Sequence, residues 1–88
     1  MKVSFDPAFK RALRRRIVPD KNLEKRFREI LSIFVRDPFD PRLKTHKLSG
    51  NLEGLFSFRV NYEIRVIFYF AGHDQAVLLD IGAHDDVY

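Results

Sequence analysis

LFSFRVNYEIRVIFYF, residues 55–70, alternates between two kinds of side chain twice over. In LFSFRV (55–60), Phe56, Phe58 and Val60 fall on one side, and Leu55, Ser57 and Arg59 on the other. In IRVIFYF (64–70), Ile64, Val66, Phe68 and Phe70 share a side opposite Arg65, Ile67 and Tyr69. A repeat of two is the period of a strand, and NYE (61–63) between the runs has hairpin length. AVLLDIG (76–82), reached through AGHDQ, is a third β-rich run, so the three strands are expected to form an antiparallel meander. One face of such a sheet needs cover. If the phenylalanines take that face, Arg59 and Arg65 come from adjacent strands to stand together on the other, open one.

The first half of the chain supplies the cover. Met1–Phe5 alternates weakly and reads as a first strand. Asp6 followed by Pro7 opens a helix, since aspartate caps and proline is tolerated in the first turn. Phe9, Ala12, Leu13 and Ile17 give that helix an apolar stripe, and Pro19 interrupts it. Asp20 or Asn22 caps a second helix, on which Leu23, Phe27, Ile30, Leu31, Phe34 and Val35 recur at helical spacing. DPFDP (37–41) ends it, because its two prolines cannot continue a helix. The expected fold is an α+β, two-layer β-α-α-β-β-β domain over residues 1–88, a helical hairpin packed on an antiparallel sheet.

Composition narrows the chemistry. The chain has 88 residues, nine of them phenylalanine, and no cysteine. Disulfides, thiolate catalysis and cysteine-ligated zinc are thereby excluded. No apolar run is long enough for a signal peptide or a membrane span, so a reducing cytoplasm is the expected location. The net charge of +4 is unevenly spread. Residues 1–16 hold six Lys or Arg against Asp6 alone, whereas residues 71–88 hold four aspartates and no Lys or Arg. A basic block suits a phosphate backbone or an acidic partner, and equally a solvated helix face.

Few side chains are placed for catalysis. Arg59 and Arg65 can grip a phosphate through bidentate donors, or serve as exposed strand residues that discourage aggregation. Arg65 interrupts a very apolar stretch, so it calls either for a ligand or for a structural partner. His46 lies between Lys44 and Lys47 in KTHKLSG, and His84 follows the last strand. Two imidazoles placed across a phosphodiester can serve as base and acid, while each taken singly can be a loop histidine without a role. Glu63 is a further base or an orienting group for an arginine. Tyr88 can stack on a base or tuck against the core. His73 reads as a plain turn residue. No histidine pair has helical metal-ligand spacing, and there is no Gly-rich phosphate loop or serine elbow.

The segment KLSGNLEGLFSFRVNYEIRVIFYF, the closing IGAHDDVY and the β-α-α-β-β-β order resemble the RelE/ParE superfamily of bacterial type II toxins. The resemblance spans nearly the whole chain and is strongest from Lys47 to Tyr88. Its pattern is Leu-x-Gly, a further Gly, an Arg-bearing strand, Tyr-x-x-Arg-Val-Ile and a final Gly-x-His…Val-Tyr. The RelE branch implies an endoribonuclease without metal or other cofactor that cuts messenger RNA, mostly on the ribosome, and that is held by a cognate antitoxin. On that resemblance Arg65 stabilises the scissile phosphate, His84 is the general acid and Tyr88 stacks near the cut. Arg59 falls where relatives carry a lysine or histidine. His46 aligns with a histidine before Leu-x-Gly, and Glu63 lies near a catalytic aspartate of some relatives. Lys44, Lys47 and Ser57 are implied RNA contacts, and the last residues form one wall of the site. The paired lysines of RelE itself are absent, with Ser57 and Arg59 in that strand. The general base is accordingly either His46 or Glu63, arginine being a poor one. The ParE branch, gyrase poisons of the same fold, and a binding member that does not cut are the rival readings.

Overall fold

The computed structural model describes residues 1–87, those of Asn51 and Asp86 by backbone alone; Tyr88 lies outside the described residues. Five strands form one sheet in the order β1-β5-β4-β3-β2. These are β1 (Lys2–Phe5), β2 (His46–Lys47), β3 (Phe56–Arg59), β4 (Ile64–Gly72) and β5 (Gln75–Ala83). Strands β2 to β5 run antiparallel to their neighbours, as the meander requires, and β1 joins β5 in parallel. Helices α1 (Pro7–Ala12) and α2 (Lys21–Arg36) contribute to the layer that covers one face. No helix among the described residues is long and apolar enough to cross a membrane.

The caps are the expected ones. Asp6 accepts from the Ala8 N–H at 2.8 Å, and Asp20, rather than Asn22, accepts from the Leu23 N–H at 3.1 Å. The first helix departs from the regular α form. Leu13–Ile17 is a π turn, closed by the Val18 N–H on the Leu13 carbonyl at 3.0 Å. An α turn advances about 100° per residue, which would leave Ile17, eight residues on, about 80° from Phe9 at the edge of the same stripe. The wider turn advances less, and Ile17 is as fully buried as Phe9. Arg16, beside it, donates to the Ile81 carbonyl at 2.9 Å and to Asp80 Oδ1 at 3.3 Å. One cation of the basic block is therefore tied to the sheet, while Lys10, Arg11, Arg14 and Arg15 remain exposed.

On the covered face Phe34 of α2 stacks on Phe58, centroids 4.4 Å apart, and meets Phe68 edge-on at 4.9 Å. Phe9, Phe27, Ile30, Val66, Leu78 and Ile81 complete the interior. The β4–β5 register slips between Ile67 and Phe68, leaving Leu79 unpaired, so Leu78 and Ile81 reach the same side across an odd interval.

Four expectations change. His46–Lys47, read as loop, is a two-residue edge strand on β3. His84–Val87, for which no element was expected beyond the last strand, is a short helix, α3. The AGHDQ connection shrinks to His73–Asp74, because β4 and β5 extend to Gly72 and from Gln75. Asp74 takes the left-handed φ of 62° that so tight a turn demands. Lastly, the second face of the sheet is not open throughout. Ser57 and its partner Ile67 are 0% and 5% exposed. The end of the β3–β4 ladder that carries Arg59 and Arg65 is half-exposed.

Candidate active site

Period two puts residues at i and i+2 on one face, and the observed register carries that face across the strands. His46 pairs with Ser57, Ser57 with Ile67, and Arg59 with Arg65, which in turn lies opposite Gly82. His46, Ser57, Arg59 and Arg65 thus share the face away from the helices. Lys47 pairs with Phe56 and belongs to the opposite face.

The arginine pair ends at a sharply built turn. Asn61 Oδ1 accepts from the Glu63 and Ile64 N–H groups at 2.9 and 2.8 Å, and the Val60 N–H donates to the Ile64 carbonyl at 2.9 Å. Arg65 braces the same turn from outside. Its Nη1 donates to the Tyr62 carbonyl at 2.7 Å and the Asn61 carbonyl at 3.2 Å. These carbonyls are a structural partner, one of the two alternatives the sequence left open for Arg65. The bond occupies one amino group of the fork and leaves others for a ligand.

Beyond the turn lies a hollow of about 430 Å³, lined by Arg59, Glu63, Arg65, His84 and Asp85 with Tyr62 at its edge. Four residues expected to do chemistry therefore line one concavity. Three of them come from the β3–β4 hairpin, and His84 is brought to them from α3 at the far end of β5. His84 is 60% exposed, with its Nδ1 3.8 Å from Asp85 Oδ1. Arg59 and Arg65, directly opposite one another, make no ion pair among the described residues. Facing like charges are unfavourable. Arg59 Nε is also buried with no hydrogen-bond partner among the described residues, a deficit of about 1–3 kcal/mol. Two arginines without an ion pair among the described residues, lining one hollow, make a site that an anion would stabilise.

His46 does not line this hollow. Its Nδ1 lies 2.9 Å from the Lys44 carbonyl. A carbonyl can only accept, so Nδ1 carries the proton and Nε2 of the neutral ring is the basic nitrogen. Lys44 lines a second hollow, of about 260 Å³, that shares Arg59 and Tyr62 with the first. Ser57 is enclosed, and Tyr88 lies outside the described residues. Tyr62 and Arg26, which lines the second hollow, were not anticipated. The signal for Tyr62 was an aromatic in a two-sided turn, whereas Arg26 on α2 looks like any other solvated helix cation. No group of three or more His, Asp or Glu among the described residues is placed to hold a metal ion.

No family profile matches the chain, but individual proteins do. The toxin YoeB of Synechocystis is 37% identical over 59 residues, which are 67% of this chain and 69% of that protein. The toxin YoeB of Mycobacterium bovis is 30% identical over 82 residues, 93% of this chain and 95% of its own. Among solved structures, a heterotetrameric YoeB–YefM toxin–antitoxin complex from Staphylococcus aureus contains a chain with the same fold. Its TM-score is 0.75 at 24% identity, covering 96% of this chain and 97% of the other.

Proposed function

This chain belongs to the RelE/ParE superfamily of toxins, beside YoeB, and we propose that it is an endoribonuclease that cuts messenger RNA without a metal ion. The observation that carries this reading is the shared hollow of Arg59, Glu63, Arg65 and His84. In the reaction a ribose 2′-oxygen attacks the adjacent phosphorus as a base takes its proton. The P–O5′ bond breaks, and an acid protonates the departing 5′-oxygen. The products are a 2′,3′-cyclic phosphate and a 5′-hydroxyl.

Each role falls to a side chain already placed. Arg59 and Arg65 offset the charge that builds on the phosphorane, the kind of stabilisation that contributes most when donors are fixed in advance. The turn carbonyls that hold Arg65 fix it in that way. His84, exposed at the start of α3, is the acid. Glu63 is the base favoured by position, since it lines the same hollow. His46, with Nε2 as its basic nitrogen, is the alternative from the same face. Tyr88 remains the proposed stacking residue and Lys44 a proposed RNA contact. Ser57 is fully buried and Lys47 lies on the opposite face, so neither is carried forward as a contact.

As with the YoeB–YefM pair, the partner is a cognate antitoxin, here expected to meet the exposed cations of the first helix. The ribosome is the proposed place of cutting. Brief induction in bacterial cells beside His84→Ala, with mapping of messenger 5′ ends, tests the reading. New ends inside reading frames that vanish in the variant are expected. Growth arrest with intact messages would instead place the protein with the gyrase poisons.

A further inference from the structure

Tyr62 is the most exposed large hydrophobic side chain among the described residues, at 84%. It stands at the tip of the β3–β4 turn, where the hollow holding His84 meets the one lined by Arg26, Arg42, Lys44 and Arg59. These last four cations are not equivalent. Arg42 is held by Asp40 through bonds of 3.0 and 2.9 Å, so its charge is already answered. Arg26 uses Nε on the Val60 carbonyl at 3.0 Å, which anchors its stem and leaves both terminal amino groups of the fork. Lys44 makes no ion pair among the described residues. It also adopts a φ of 53°, the left-handed region that favours glycine. A lysine kept where glycine would be relaxed points to a use for its ammonium group.

We infer that this second hollow is a phosphate subsite for the RNA strand next to the cut, with Tyr62 as the platform for the intervening base. The inference rests on the ribonuclease reading and extends it. Arg59 belongs to both hollows and serves both phosphates. A strand leaving the scissile position passes over the exposed ring, and its next phosphate meets Lys44 and Arg26. Alternating cations and an aromatic face are the recurring means of holding single strands without reading their sequence.

The test uses the whole protein and a short 2′-O-methyl RNA, which cannot be cut, in binding titrations over a range of salt. Tyr62→Ala is expected to weaken binding about tenfold, and Tyr62→Phe to leave it unchanged, because stacking needs the ring and not the hydroxyl. Lys44→Gly is expected to lower the slope of log affinity against log salt by about 0.7, the value for one phosphate on a single strand. Its fold should be unharmed, since glycine accepts the positive φ, and denaturant unfolding checks that. Wild-type binding matched by both Tyr62→Ala and Lys44→Gly overturns the subsite and leaves the ribonuclease reading intact. No RNA binding by the wild type, together with intact messages in cells, overturns both.

Discussion

On the helix side of the β3–β4 ladder, Phe58 lies opposite Val66 and stacks on Phe34 with centroids 4.4 Å apart. One residue along, on the other side, Arg59 lies opposite Arg65. The two pairs share backbone, register and neighbouring hydrogen bonds, yet they obey opposite rules. Phe58 and Val66 are fully buried and complementary. The arginines face like charge with like, and one of them buries an Nε that has no partner among the described residues. Packing accounts for the first pair completely. The second pair is a cost to the fold, and its place in a hollow with a histidine and a glutamate is what motivates the proposed site.

The contrast can be broken most violently from the packed side. Phe58→Ala removes a fully buried ring that touches Phe34 and Phe68, at about 3–5 kcal/mol. Set against the roughly 5–15 kcal/mol that holds a domain together, a large share of the stability should go. Urea unfolding should show a midpoint far below that of the wild type.

From the arginine side the same ladder should respond in activity instead. Arg65→Ala removes a proposed donor to the transition state, and a loss of about 10²–10³ in cleavage rate is expected. Its bonds to the Asn61 and Tyr62 carbonyls predict about 1 kcal/mol of lost stability as well. A cleavage assay and an unfolding curve on one preparation separate the two effects. If the activity loss is no greater than the stability loss explains, Arg65 is only a brace for the turn.

Arg59→Met sharpens the comparison further, because its two effects should have opposite signs. Relieving the like-charge pair and the buried Nε is expected to leave stability equal or raise it by about 1 kcal/mol. RNA cleavage should fall nonetheless. A variant that is both less stable and fully active would show that Arg59 serves the scaffold.

The packed face was legible from residues 55–70 because a period of two needs no partner to be read. Phe56, Phe58 and Val60 declare their side in the sequence alone. That Arg59 and Arg65 share a face followed from the same alternation once the hairpin was recognised. Their direct opposition is a matter of register that only the structure gives. What stayed hidden depended on meetings between distant segments. His46–Lys47 is too short to carry a period and is a strand only because β3 lies beside it. The π turn at Leu13–Ile17 answers to the position of β5, on which Arg16 closes. Ser57 gives no sign in its own strand that its face is covered. Arg26 looks like any solvated helix cation until α2 is laid against Val60.

The smallest effect tests the loop that supports this second group. Arg42 donates to both oxygens of Asp40, whose carboxyl also accepts from the Arg42 N–H at 2.9 Å. The side-chain bonds first, and the backbone bond next, lower the Asp40 pKa from 3.8 to about 2. A carboxylate with a depressed folded-state pKa stabilises the fold above its ordinary pKa, and that contribution is lost as pH falls through the folded value. Stability should therefore decline between about pH 4 and pH 2, and less steeply in Asp40→Asn, whose amide carries no proton-linked charge. Because Asp40 caps the short turn Pro41–Leu43, which buries Leu43 and delivers Lys44 in its left-handed conformation, the same variant should bind RNA slightly less well at neutral pH. Unfolding curves at several pH values, set beside RNA titrations of both proteins, read the two together. Identical pH slopes would mean that the Asp40–Arg42 bridge holds no more tightly in the folded chain than in the unfolded one.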